Sequence, residues 1–235
     1  MKMTRLVIRS VPARARGRSS APPEPGPDEP GARDRILDAA DRALAGAGYR
    51  HMRIEDLAEA AGIAKGTVYL SFPSKQEIAL ACIDRMAGRV LARMVELAAS
   101  KGPVEARLRR ILVERVLMRF DYAREHSSSI DEILIAIRPG LLARRLEHFA
   151  AESQVVAGLL KEQTGAPARA AVETARAMIV ATNALLPYSL SVREMGRRAE
   201  IAHRADRVAR LVVAGALASA PSHPAGKPSA RRRSS

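Results

Sequence analysis

The sequence predicts an all-α fold of about nine helices, and three observations predict it. Ala, Leu and Arg recur throughout, while aromatic residues make up only 3% and Trp is absent. That composition suits helices and disfavours a sandwich or barrel, which draws on β-branched and aromatic residues. Apolar residues recur at helical spacing from residue 33 to residue 218, with no two-residue alternation anywhere. Gly and Pro fall between the periodic runs, where helices stop.

The first helix is expected over 33–47, with Ile36, Ala39, Ala40, Ala43 and Leu44 on one stripe and Gly46 and Gly48 as the stop. A short helix over 54–61 ends at Gly62, and a third over 65–71 closes before Pro73. The fourth begins at Lys75 and is long, because Ile78, Cys82, Met86, Val90 and Met94 recur every four residues until Lys101-Gly102-Pro103. Residues 104–125 follow with Leu108, Ile111, Leu112, Val116 and Phe120 inward. Pro139-Gly140 then separates a short helix over 130–137 from a longer one over 141–163, itself stopped by Gly165 and Pro167. The last two are expected over 168–186 and 194–218, on either side of Pro187.

A chain of 235 residues with 47% hydrophobic residues can bury one large core or two small ones. Residues 1–31 and 221–235 read as disordered tails, the first Pro-rich and basic, the second ending in Arg231-Arg232-Arg233. Either tail is a solvated extension or an arm that adds phosphate contacts. The net charge of +14 points to a polyanionic partner. It is spread unevenly, however: about +4 in residues 1–33, −1 in 34–80, +7 in 81–220 and +4 in 221–235. Charge alone therefore does not locate the partner's site. A single cysteine, Cys82, leaves no disulfide framework, and no apolar run approaches a membrane span or a signal peptide's apolar core, so a soluble cytoplasmic protein is expected.

The informative stretch is 54–75. Ile54, Leu57, Ala58 and Ala61 form the inner face of one short helix, Gly62 supplies a left-handed turn, and Ile63 plugs the corner. Val68 and Phe72 anchor the following helix, which is the arrangement of a helix-turn-helix. Such a motif places the N-terminal residues of its second helix at base edges in the major groove. Those residues are Ala64, Lys65, Gly66, Thr67 and Leu70. Lys65 can donate to guanine, Thr67 to a base or phosphate, and Gly66 permits close approach, while Tyr69 and Lys75 are placed to touch phosphates.

From residue 33 to about 80 the chain resembles the TetR family of repressors. The resemblance is carried by Arg35-Ile36-Leu37-Asp38-Ala39-Ala40, Gly48-Tyr49, Leu57-Ala58-Glu59-Ala60-Ala61-Gly62-Ile63, and above all Lys65-Gly66-Thr67-Val68-Tyr69 followed by Phe72-Pro73-Ser74-Lys75. Three positions depart from the family pattern. Arg53 and Ala64 stand where it caps the two motif helices with Ser or Thr, and Ser71 replaces a DNA-touching His or Tyr. Arg53 in that place could reach a phosphate instead.

The resemblance implies a three-helix DNA-binding domain over 32–80 and a helical ligand-binding and dimerisation domain over 81–220. It also implies a homodimer formed by the last two long helices, a palindromic double-stranded operator, and repression relieved by an unknown small-molecule effector. Ala170, Ala171, Ala175, Ala177, Met178, Ala181, Ala184 and Leu185, with Val208, Leu211, Val212, Gly215 and Leu217, are compatible with close helix packing at such an interface or in an intramolecular core. Met118, Phe120, Tyr122, Phe149, Asn183 and Tyr188 are the candidate ligand contacts, each also readable as plain core. Arg109-Arg110 and Arg144-Arg145 read as solvated helix faces or as attraction for an anionic ligand.

No catalytic set, cofactor loop or metal spacing is visible among the scattered histidines, Cys82 and the carboxylates, so no enzyme, metal or cofactor is expected. Two alternatives stay open: an architectural DNA-binding protein that senses nothing, and a helical ligand-binding protein that has lost specific DNA recognition.

Overall fold

The computed structural model describes residues 31–127, 130–187, 194 and 196–219. Both expected tails, apart from Gly31, and Tyr188 lie outside the described residues. Nine helices and no strand occur among them: α1 (Ala32–Gly46), α2 (Gly48–His51), α3 (Ile54–Ala60), α4 (Lys65–Ser71), α5 (Lys75–Ala98), α6 (Val104–Glu125), α7 (Ile130–Thr164), α8 (Ala168–Asn183) and α9 (Arg198–Ala218).

The total matches the expected number, but its makeup differs. One short helix, α2, was not expected; Gly48, at φ +83°, turns the chain into it. The two helices expected on either side of Pro139 are instead one, α7, with Pro139 inside it. Pro139 lacks the N–H that would bond the Ile135 carbonyl one turn earlier. Ile135 is 76% exposed, on the face of α7 where water can satisfy that carbonyl. On the opposite face Ile133 and Ile137 are buried in the N-terminal core, so packing holds the helix continuous through the missing bond. Gly140 matters for a separate reason: a Cβ there would lie 2.5 Å from the buried Leu80 side chain, so α5 and α7 approach closely.

α8 and α9 are shorter than expected at the facing ends. α9 starts at Arg198 rather than near residue 194, because Gly196 at φ +59° turns the chain and the Glu200 carboxylate accepts the Arg197 N–H at 3.1 Å.

Three apolar clusters organise the packing. The first joins α1–α4 to the start of α5 and is extended by Tyr122 of α6 and by Ile133 and Ile137 of α7. The second runs from Val90 and Met94 of α5 through α6, the C-terminal part of α7, α8 and α9. The third unites α6 with Ile130, Leu186 and the start of α9. α5 passes unbroken from the first cluster into the second, and α6 touches α5, α7, α8 and α9.

Candidate nucleic-acid interface and adjoining cavity

The 54–75 motif folds as two short helices at a tight corner. After α3 the Gly62 N–H donates to the Glu59 carbonyl and the Ile63 N–H to the Ala58 carbonyl, both at 3.0 Å. Gly62 has φ +66°, and Ile63 packs on the same core as Ala58. This is a Schellman stop with its apolar contact, and it sets the angle at which α4 leaves. Arg35 of α1 donates through Nε to the Ala61 carbonyl at 3.1 Å, tying α1 to the corner. Neither Arg53 nor Ala64 forms a side-chain cap, whereas Ser74 caps α5 by accepting the Glu77 N–H at 3.2 Å.

On α4, Val68 is wholly buried and Phe72 follows it into the core. The outward stripe is Lys65, Gly66, Tyr69 and Leu70, with Ala64 exposed just before the helix and Thr67 and Ser71 half-buried at its sides. Leu70 is 89% exposed, a large apolar side chain with no intramolecular cover. Gly66 faces open space, so nothing within the chain requires a glycine there.

Two cations of the expected site are engaged internally. Lys65 pairs with Glu55 of α3 at 2.6 Å and lies 5.9 Å from the Tyr69 ring. Their hydrogen bond lowers the Glu55 carboxyl and raises the Lys65 ammonium. Lys75 donates to the Arg50 carbonyl at 3.0 Å and sits 4.6 Å over the Tyr49 ring, so it bridges α5 to α2, and burial lowers its pKa. Arg53 is exposed at the start of α3. Glu55 escaped the sequence reading because it meets Lys65 across two helices, where no helical spacing applies.

Beside this unit lies a cavity of about 270 Å³ among α5, α6 and α7, reaching Pro187. Of the sequence-derived ligand candidates, Tyr122 and Phe149 line it. Phe120 is instead core of the third cluster, Met118 packs on the second, and Asn183 accepts from Arg115 at 2.9 Å. Of the arginine pairs, Arg145 lines the cavity, while Arg144 pairs with Asp84 and Glu77. The remaining basic residues of the lining, Arg119, Arg138 and His148, were missed. Positions 138, 141, 142, 145, 148 and 149 form one stripe on α7, and the supposed break at Pro139 cut Arg138 off from the other five.

The Tyr122 hydroxyl donates to Asp41 of α1 at 3.1 Å, which connects the cavity wall to the N-terminal unit. Asp41 also accepts from Arg85 at 2.6 Å. Behind the cavity, wholly buried Arg115 bonds Glu152 at 2.7 Å and Thr182 at 2.6 Å, and Arg119 pairs with the same carboxylate. Burial alone would raise Glu152, but the two guanidinia outweigh it and hold the carboxyl below its ordinary value. Cys82 is fully buried, and burial pushes its thiol well up, as its place on the apolar stripe led one to expect. No group of three or more His, Cys, Asp or Glu able to hold a metal occurs among the described residues. No helix among them is long and apolar enough to cross a membrane.

Residues 36–82 match the family described as bacterial regulatory proteins, tetR family. The chain is 33% identical over 73 residues to the fatty acid metabolism regulator protein of Bacillus subtilis, covering 31% of this chain and 38% of that protein. It is 40% identical over 74 residues to the HTH-type transcriptional regulator EthR of Mycolicibacterium smegmatis, covering 32% of each. The chain thus matches little more than a third of the length of these curated relatives. A crystal structure of a TetR-family regulator from Mesorhizobium loti shares the fold, with a TM-score of 0.56 and 20% identity over 78% of this chain and 96% of that one.

Proposed function

We infer, from a chain that belongs through its residues 36–82 to the tetR family of bacterial regulatory proteins, that it is a transcriptional repressor which grips a palindromic operator as a dimer and releases it when a small molecule fills the cavity. One observation carries the DNA-binding part: a helix-turn-helix whose second helix buries Val68 and turns Lys65, Gly66, Tyr69 and 89%-exposed Leu70 outward. Leu70 suits a thymine methyl, Lys65 a guanine edge once it leaves Glu55, and bare Gly66 the close approach of a backbone. Thr67, Ser71, Arg53 and Ala64 flank that stripe, and Lys75 keeps two donors for a phosphate beyond its bond to Arg50. Residues 32–80 then act as the reader and 81–220 as the sensing and dimerising part. DNA as the partner places the protein in the cytoplasm.

Release follows from α7. Its turns over 130–142 put Ile130, Leu134, Arg138, Leu141 and Leu142 on the cavity, while Ile133 and Ile137 pack into the reader's core and Glu132 pairs with Arg50 at 3.1 Å. A ligand that moves this segment or Tyr122 shifts the reader, and a coupling of about 1–3 kcal/mol suffices for a 5–150-fold change in affinity. For the dimer, Ala177, Val180 and Ala181 of α8, Ala184 at its C-cap and Leu211 of α9 are outward apolar residues, with Val180 63% and Leu211 74% exposed. Ala171, Ala175 and Met178 face inward, so the small-residue pattern serves core and surface together.

The test is selection from random duplexes at physiological salt. The expected result is a palindrome whose recovery is lost in the K65A/T67A variant. Binding without a motif, falling only with salt, would show general attraction by the +14 charge and overturn the reading.

A further inference from the structure

We propose that the cavity takes a small uncharged molecule, mainly aliphatic and of roughly nine heavy atoms. The inference rests on the sensor reading above and names the class of ligand that the reading leaves open. The polar side chains of the lining provide the first argument, because they are engaged before a ligand arrives. Arg119 donates to the Arg115 carbonyl at 3.0 Å and pairs with Glu152, which is 1% exposed. His148 lies 3.4 Å from the Asp84 carboxylate, and the Tyr122 hydroxyl donates to Asp41 at 3.1 Å. Arg145 also has its interaction within the chain. Arg138 is exposed, so water solvates its guanidinium.

A charged guest gains little from such a lining. An anion that reached Arg119 would have to take it from Glu152 and leave that buried carboxylate with one partner fewer. At His148 it would meet the charge of Asp84. A carboxylate kept hydrated beside Arg138 gains little from an exposed pair, and it holds its last methylenes out of the cavity, at about a fourfold loss for each. A cation finds no carboxylate among the described residues of the lining, so its burial would go uncompensated. An uncharged guest breaks no pair.

Apolar surface provides the second argument. The rest of the lining is mainly aliphatic, with Ile83, Met86, Leu134 and Leu142 facing the cavity from α5 and α7. Aliphatic walls on two sides favour a hydrocarbon body over a sugar-like guest, whose many hydroxyls would compete for groups already engaged. Size provides the third. At about 30 Å³ for each heavy atom in a liquid, 270 Å³ holds roughly nine. Octan-1-ol is of that size, and its single hydroxyl can stay at the wet Arg138 side while the chain lies inward.

Three probes of one shape separate charge from fit: octan-1-ol, octanoate and octylamine, titrated calorimetrically into the full chain at neutral pH. Octanol should bind at least about tenfold more tightly than octanoate, with octylamine not binding. Two variants place the binding in this cavity. Ala87 is buried on α5 and lines it, so A87L fills part of the space and should weaken octanol by at least about tenfold. Leu142 is 40% exposed at the α7 wall, so L142N spares the core and should weaken octanol by about threefold to fivefold. Circular dichroism and melting temperature of both variants report whether they fold, and L142N decides alone if A87L does not. Octanoate or octylamine binding as tightly as octanol, no octanol binding, or octanol affinity unchanged in the folded variants would each overturn the proposal.

The same protein is assayed on the palindrome selected above. Octanol that binds a protein recovering no palindrome sinks the repressor reading and leaves the ligand class standing. A palindrome bound by a protein indifferent to octanol does the reverse.

Discussion

Lys65 enters α4 with its ammonium held by Glu55 at 2.6 Å, both groups lying on the open surface. Binding to DNA must break or share that pair, and Glu55 brings a negative charge toward the phosphates as well. Exposed pairs hold weakly, so E55Q should tighten operator binding by up to about fivefold, with the gain shrinking as salt rises. Filter binding at several salt concentrations reads this. Unchanged affinity would mean Lys65 stays away from the DNA, and a loss would assign a base contact to Glu55. Glu152 is the opposite case, since it is buried between two guanidinia. Its carboxyl lies below the ordinary 4.5 when folded, so its stabilising contribution is full above the unfolded value and lost as pH falls through the lowered one. E152Q removes the buried carboxylate that Arg115 and Arg119 share and should cost roughly 3–5 kcal/mol at neutral pH. It should also flatten the acid limb of a stability–pH curve below about 4.5, as denaturant titrations would show. A limb as steep as in the unaltered protein would place the acid sensitivity elsewhere.

The corner between α3 and α4 depends on one backbone conformation. Gly62 has φ +66°, and a Cβ there would meet nothing within 4 Å, so G62A carries backbone strain without a clash. The expected cost is about 1 kcal/mol, seen as a lower denaturation midpoint at unchanged slope. A neutral outcome would mean the corner relaxes to another turn. α7 shows how an element survives a local break. Pro139 removes one hydrogen bond, but Ile133 and Ile137 on one side and close-packed Gly140 on the other keep the helix docked on both the reader and the cavity. Breaking α7 at that point would have separated the two surfaces that the ligand response has to connect.

For the whole molecule, reading a palindrome requires two readers at a set spacing. Val180 and Leu211 project from α8 and α9, 63% and 74% exposed, beside small residues that permit close approach. The double variant V180E/L211E should therefore sediment as a monomer at concentrations where the parent is a dimer. It should keep its helical circular dichroism and lose operator binding by at least about 100-fold, because each half-site is then held alone. A variant that stays dimeric would move the interface off this face.

Local physics made the N-terminal unit readable from the sequence. The α1 stripe, the Gly62 stop and the inward Val68 and Phe72 all act within a few residues, and α4 and α6 occupy the spans that periodicity predicted. The cavity was legible through Tyr122 and Phe149, whose size marks them in an Ala- and Leu-rich chain, and through Arg145 of the Arg144-Arg145 pair. What tertiary packing alone decided concerns contacts between distant segments. Arg115 finds its buried carboxylate 37 positions along the chain, and Tyr122 reaches Asp41 across 81. Glu55 meets Lys65 on a different helix. Pro139 obeyed the burial of its neighbours rather than its own preference for ending a helix. Propensity at one residue is worth a few kcal/mol at most, and a helix face that buries several apolar side chains outweighs it.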